Sequence, residues 1–584
     1  MSLKKNISTL LFAVVFVGFV FLLLYYTCGV FYLTNDDVGF MKTYSGYYSG
    51  VPSVYNSYGS YTLGSFYVLL YSVLPAINWY TAVSIMVLII SNAIIIFCIL
   101  NVLDEKIKIN FGYFLICGLI TVAVNFYGIK RVSWTLNGVF ASTAGMMLLL
   151  LFVIRKKYKW WFVFISILLF GLGGLIRYGS LEAVIPYAVL VVTYYYVSNK
   201  EKLFFSKKNK CILMNAFLIL ILLGLMWCYQ YVDSSLKNKV QPVSEEYSEF
   251  EFYRSLYSDC YHIPYEGNEE FYESIGWDEE FYNATEQFFY MDERFNAENL
   301  KLIAEKTEDS IKGNDKQSSY IDYVVYVFEY IQSDPIIPVF SFFIFFMFLA
   351  GTSLFVVKIL RHKAWQDWFL VGGAATIALL ECAWLLVVRE RMIDRTFYCA
   401  VIPAVFIGAS ILFKNFSSVF RSKVLSTTFC VFVVIFAGSV ATFWIVDDER
   451  QKIRAVSQAA DEADLIIANN PDKLFITDDS ISYGCNLFLN MELAGRVQNS
   501  MLYGGTGIYT ESYYRTIAKF GFDEFYSDDF LNDKVLFMTL NPNFSSSEFL
   551  TYMRNLYGED IDVIEIEHST SGVYVYKFVR LEEA

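Results

Sequence analysis

Along this 584-residue chain, apolar stretches of roughly 20 residues recur about eleven times, and each is long enough to cross a bilayer as a helix. Inside lipid the backbone must satisfy its own hydrogen bonds, so the repeated stretches restrict the fold to a bundle of transmembrane helices. The expected spans are Thr9–Leu33, Ala76–Leu100, Phe111–Phe126, Trp134–Ile154, Trp160–Leu175, Leu181–Val197, Cys211–Tyr231, Pro338–Leu360, Phe369–Val388, Phe397–Phe413 and Val424–Val446. Composition agrees: 56% of residues are hydrophobic and 18% charged. Soluble domains run near 45–50% and 25%, so an ordinary soluble enzyme is excluded. The segment from Tyr58 to Pro75 is apolar but short, and reads as a helix lying on the membrane surface.

Lysine and arginine in short loops set orientation. They collect at Lys106 and Lys108, at Arg155 to Lys159, at Lys200 to Lys210, at Lys358 to Lys363 and at Lys414 to Lys423, which fits a cytoplasmic N-terminus. An odd number of spans then puts the C-terminus outside the cell. Four regions follow: residues 1–232, an N-terminal membrane module with the first outer loop; 233–335, an acidic, aromatic-rich and mostly helical outer insertion; 336–446, further membrane helices; and 447–584, an extracellular α/β domain. In the last region KLFITD and KVLFMT read as buried strands, and the stretch from Ile561 to Val579 as a closing hairpin. The net charge of −13 gives no footing for nucleic acid. Three scattered histidines and ten cysteines without CxxC spacing offer neither a triad nor a zinc site.

Charges that break the pattern carry the chemistry. The first expected span leads into TNDDVGF, which sets Asp36 and Asp37 at the outer surface, where two adjacent carboxylates repel and one becomes a usable general base. The bland alternative is that the pair merely ends the helix in water. Three short outer turns carry positive charge that the loop rule does not explain: Lys130 and Arg131, Arg177, and Arg389, Arg391 and Arg395. Singly, each arginine suits a snorkelling side chain or an ion pair. Together they suit an anion, and the planar guanidinium fork matches phosphate. The sequence does not show that these turns meet.

The layout of a first helix from inside to outside, an acidic motif opening the first outer loop, a surface segment, about eleven spans and an outer C-terminal domain resembles the GT-C superfamily of polyprenyl-phosphate-sugar glycosyltransferases. More closely, NDDVGFMKTYSGYYSGVPSVYN, LYSVLPAINWYT, GLIRYGS and RMIDRTFYCAVIP resemble an uncharacterised group of Firmicutes-type membrane proteins placed near that superfamily. The resemblance implies that Asp36 or Asp37 is the catalytic base, that Arg177 and Arg395 clamp the donor phosphate, and that Arg131 and Arg391 add charge. It leaves open which aspartate acts, and whether a divalent cation sits at the pair.

The expected function is therefore transfer of a sugar, with inversion, from a polyprenyl-phosphate donor to a cell-surface glycan, glycolipid or teichoic-acid-like acceptor at the outer face of the cell membrane. A transporter or flippase of lipid-linked glycans would use the same arginines without chemistry. Its mid-membrane polar candidates are Glu381 and Asn125. A third reading is a non-catalytic assembly protein with the same fold.

Overall fold

The computed structural model describes residues 3–27, 29–56, 58–103, 111–155, 161–198, 224, 227–239, 244–313, 337–361, 365–387, 393–419, 427, 431, 435, 438, 449–482, 487, 490–504 and 507–581. In chain order the helices are α1 (Leu3–Thr27), α2 (Asn35–Ser45), α3 (Tyr61–Val73), α4 (Trp79–Val102), α5 (Phe111–Val124), α6 (Phe126–Lys130), α7 (Trp134–Arg155), α8 (Trp161–Ile176) and α9 (Tyr178–Ser198). There follow α10 (Ser244–Asp259), α11 (Glu269–Ser274), α12 (Glu279–Glu286), α13 (Ala297–Gly313), α14 (Ile337–Arg361), α15 (Trp365–Val387), α16 (Asp394–Val419) and α17 (Glu449–Asn469). The C-terminal region adds α18 (Asp479–Ser482), α19 (Met491–Ala494), α20 (Glu511–Ala518) and α21 (Glu548–Tyr557), with strands β1 (Leu474–Thr477), β2 (Ser500–Leu502), β3 (Val535–Thr539), β4 (Ile561–His568) and β5 (Tyr574–Arg580). The described chain forms two compact units, one of residues 1–30, 83–231 and 318–447, the other of residues 31–82, 232–317 and 448–584.

The first unit is helical. Among the described residues five helices are long and apolar enough to cross a membrane: Ile7–Thr27, Trp79–Val102, Trp134–Arg155, Trp365–Leu386 and Asp394–Asn415. Shorter apolar helices, Gly112–Val124, Trp161–Ile176 and Phe343–Phe355, fall within three more of the expected spans. The expected spans Cys211–Tyr231 and Val424–Val446 lie mostly outside the described residues.

Burial ranks these helices. Other helices cover 94% of the α16 window and 83% of that of α7, but only 22% for α1 and 28% for α15. The first two are the centre of the bundle, and the last two turn apolar side chains such as Val15, Phe19 and Leu380 outward. Small residues bring α7 and α8 close together: a Cβ on Gly173 would lie 2.7 Å from the Gly138 carbonyl oxygen, so no larger residue fits without a shift. Tyr187 donates to the Ala400 carbonyl and Tyr398 to the Val124 carbonyl, tying α16 to α9 and α5. Near the far end of α16, Lys414 binds both oxygens of Asp367, at 2.7 and 2.9 Å, and Tyr194 donates to the same carboxylate. Asp394 and Lys414 are twenty helical steps apart, about 30 Å, close to the thickness of a bilayer's hydrocarbon core.

The second unit is mixed. Its sheet has the order β2-β1-β3-β5-β4. The first three strands are parallel, and β3/β5 and β5/β4 are antiparallel. Every residue of β1 and β3 is buried, as expected of parallel strands covered on both faces. Strands β1 and β3 and the β4–β5 hairpin match the sequence reading. Strand β2, only three residues long, carried too little alternation to be foreseen.

The acidic insertion and the C-terminal segment share one core in this unit. Trp277, Phe281, Phe289, Tyr290 and Phe295 from the former pack with Phe530, Phe537, Phe549, Tyr552 and Phe578 from the latter. Asp292, 4% exposed, accepts from Tyr552 and, at 3.0 Å, from Arg294, which lies 4.2 Å over the Phe281 ring. Those aromatic residues are why so acidic a segment folds: they bury enough apolar area to offset the ordering of the chain.

Candidate functional site

Helix α2 opens directly after Thr34 and carries both aspartates in its first turn, where the helix dipole favours negative charge. The structure distinguishes two residues that the sequence left equivalent. Asp37 is 1% exposed; one oxygen accepts from the Thr34 hydroxyl at 2.9 Å and the other from the Tyr80 hydroxyl at 2.7 Å. Asp36 is partly exposed, and its charge reaches Tyr58. The Tyr58 hydroxyl in turn accepts from Arg254 at 3.2 Å, and Arg254 pairs with Glu251 at 2.6 Å. Burial first, and then the charge of Glu251, pushes the Tyr58 phenol well above its ordinary value, so it stays protonated.

Aromatic rings wall the pair. Tyr44 stacks on Tyr67 at 5.2 Å, and Tyr67 lies 5.4 Å from Tyr80. The loop after α2 is as tight as its glycines and proline suggested. Gly46 ends the helix at φ +80°, and a Cβ there would lie 2.7 Å from the Pro52 nitrogen. Helix α3 follows, its amides and hydroxyls held by Asp233, which accepts from Tyr61 N–H at 2.9 Å, Thr62 N–H at 3.0 Å and Ser60 at 3.0 Å. At thirteen residues, about 20 Å, α3 is too short to cross a bilayer. It buries Tyr67 and Tyr71 and exposes Phe66, Leu69 and Val73.

The arginines belong to the helical unit. Arg131 follows α6 and lies 5.3 Å over the Tyr127 ring, while the Tyr127 hydroxyl donates to Asp394. The backbone N–H of Arg395 donates to that same carboxylate at 2.8 Å. Arg177, between α8 and α9, lies 4.3 Å over the Trp134 ring and donates to the Thr135 hydroxyl, at the start of α7 just beyond Arg131. The three turns thus meet at one end of this unit and bring Arg131, Arg177 and Arg395 together. Arg391 lies outside the described residues.

Sequence reasoning missed Tyr80, Thr34, Tyr58 and Arg254. Thr34 lies beside the DD motif, and NWYT could have suggested Tyr80; nothing in the sequence joins Arg254, more than two hundred residues away, to Asp36. Among the described residues, no three His, Cys, Asp or Glu side chains gather into a metal site. Both Asp37 oxygens already accept hydrogen bonds, so a divalent cation at the pair would draw most of its ligands from substrate and water. His262 takes a structural place, stacked on Tyr257 at 4.1 Å and 3.1 Å from Glu286. The sequence matches no protein-family model, and no curated protein resembles it closely enough to assign it.

Proposed function

We propose that the protein is an integral membrane glycosyltransferase of GT-C type, with about eleven spans, a cytoplasmic N-terminus and an extracellular C-terminus. It takes a sugar from a polyprenyl-phosphate donor and delivers it to a cell-surface glycan, glycolipid or teichoic-acid-like acceptor. The observation that most supports this reading is the division of labour within the Asp pair. Asp37 is held by two hydroxyl donors, while Asp36 keeps exposed surface.

A general base must reach the proton it removes, which favours Asp36. Asp36 accepts the proton of the acceptor hydroxyl as that oxygen bonds to the anomeric carbon. The bond from the same carbon to the phosphate oxygen breaks, and the phosphate leaves with its electron pair. Arg177 and Arg395, with Arg131 beside them, hold that departing charge. Asp37, with Tyr80 and Thr34, fixes the first turn of α2 and is a positioning residue.

Transport remains the second reading because of Glu381. Both of its carboxylate oxygens are buried in α15 without a hydrogen-bond partner among the described residues, as a group that binds cargo within a membrane would be. Asn125, the other candidate, donates to Asn92 at 2.6 Å and reads as packing.

The test is the surface-glycan composition of cells carrying the native protein, Asp36→Asn, Asp37→Asn, Glu381→Gln, or no protein. Loss of one sugar in the null and in Asp36→Asn, with the protein present in the membrane, is the expected result. Loss in the null and in Glu381→Gln but not in Asp36→Asn would replace transfer with transport.

A further inference from the structure

The mixed unit contains an open groove of about 350 Å³ between the acidic insertion and the C-terminal segment. Pockets that take small ligands begin near that size, at about 300 Å³. We propose that this groove binds an uncharged oligosaccharide.

Its walls are Tyr509, Tyr514 and Tyr526, and its rim carries Glu293, Asn296 and Glu298. The floor is formed by buried rings: Phe250 packs edge-on against Tyr509 at 5.1 Å and against Phe295 at 6.0 Å, and Phe295 stacks on Tyr290 at 4.1 Å. A floor packed in this way cannot collapse into the space above it. The three wall tyrosines are only half-buried, so part of each ring remains available to a ligand.

Two of these walls are held in place by the protein itself. Tyr526 donates to Glu524 at 3.0 Å. Tyr509 has φ +58°, a left-handed backbone that a bulky residue adopts only where its surroundings impose it, and such strain collects at ligand sites. Burial raises the phenols of Tyr509 and Tyr526 above their ordinary value, so both are hydrogen-bond donors at neutral pH.

Charge and shape select the ligand class. Among the described residues no lysine or arginine lines the groove, and two carboxylates border it, so a phosphate-bearing or acidic chain is repelled. Sugar hydroxyls suit this rim: Glu293 and Glu298 accept from them, and Asn296 both donates and accepts. The apolar faces of pyranose rings suit the tyrosine walls, which are apolar across the ring and polar at the tip. A quaternary ammonium would want rings enclosing it, whereas this groove is open and suits an extended chain. Tyr247, on the groove, packs edge-on against Tyr55 at 5.5 Å, so a buried ring contact joins the groove's lining to the loop that follows α2. The groove's role as a docking site for the acceptor chain rests on the transferase reading; the binding itself does not.

The test uses the full-length protein in lipid nanodiscs. Saturation-transfer NMR and calorimetry would be run with chitotetraose, cellotetraose, maltotetraose and mannotetraose, with tetramethylammonium as the cationic probe and glycerol phosphate as the anionic one. At least one neutral tetrasaccharide should bind, with affinity at least tenfold weaker in Tyr514→Ala and in Tyr526→Ala, and retained in Tyr514→Phe. Tyr514 packs against the core, so Tyr514→Ala should lower the melting temperature modestly, and Tyr514→Phe, which keeps that packing, separates lost binding from lost stability. Binding of tetramethylammonium alone, binding unchanged in both alanine variants, or no binding of any tetrasaccharide overturns the proposal. Oligosaccharide binding in a protein whose cells lose no sugar on Asp36→Asn would leave the groove standing and remove the transferase reading instead.

Discussion

Lys42, Tyr47 and Asp464 form a buried chain that attaches α2 to α17. Lys42 is 5% exposed, lies 4.1 Å over the Tyr47 ring and faces Asp464; Tyr47 donates to Asp464, itself 4% exposed. Desolvation pushes the Asp464 carboxyl above its ordinary value despite the nearby ammonium and the tyrosine hydrogen bond, so burying this charge costs more than its partners return. Two distinct outcomes follow for two perturbations. Asp464→Ala takes away the carboxylate that faces a buried ammonium, and breaking such a pair costs about 3–5 kcal/mol. With an unfolding entropy of about 2.1 cal/mol/K per residue over a unit of this size, that corresponds to a melting temperature lower by roughly 5–9 °C. Replacing both members, in Lys42→Met with Asp464→Leu, removes the desolvation penalty together with the attraction but leaves the buried Tyr47 hydroxyl without its acceptor, at about 1–3 kcal/mol, so the double variant should recover much of the single-variant loss. The assay is thermal unfolding of the purified full-length protein, native, single and double variants compared as a cycle. A raised carboxyl also fixes the sign of the pH effect: its contribution favours the folded state at low pH and is lost as pH rises through the folded value, and Asp464→Asn should abolish that slope. A single-variant loss below about 1 kcal/mol, or a double variant as unstable as Asp464→Ala, would refute the reasoning.

Two further outcomes test the packing. Gly173→Ala should destabilise the protein by about 1–3 kcal/mol, because the new methyl meets the Gly138 carbonyl, while Gly171→Ala, with nothing within 4 Å, should stay within about 0.5 kcal/mol of native; equal effects in thermal unfolding would show that the α7–α8 contact is not limiting. The His262 hydrogen bond, first among its causes, holds the Glu286 carboxyl below its ordinary range, so Glu286 stabilises the fold above the unfolded carboxylate value and loses that effect as pH falls through the folded one. Native minus Glu286→Gln melting curves should therefore differ at pH 6, by less than about 1 kcal/mol for so exposed a pair, and converge towards pH 3.

Several elements were legible because their signal is local. The apolar stretches around Trp134 and Phe397 read as membrane helices from their length, and KLFITD and KVLFMT as buried strands from continuous apolar runs. The break at Pro75, a glycine at position 46 and the DD motif were each visible as residue types with a fixed conformational meaning. Three-residue β2 lay below what periodicity resolves.

What the tertiary structure decided is longer in range. Asp37 became the held member of its pair only because Tyr80, forty-three residues on, reaches its carboxylate. The three arginine turns meet because the ends of α6 and α8 lie beside the start of α16, and no spacing in the chain encodes that meeting. The aromatic groove likewise needs the insertion and the C-terminal segment to share a core, although they are separated by a run of apolar helices. Helical and strand periods are properties of neighbouring residues, whereas exposure, partner and charge environment depend on which distant surfaces pack together. The sequence alone therefore determined the class of fold and the residues with chemistry to offer. Packing determined which of those residues are held, which are exposed and which stand side by side.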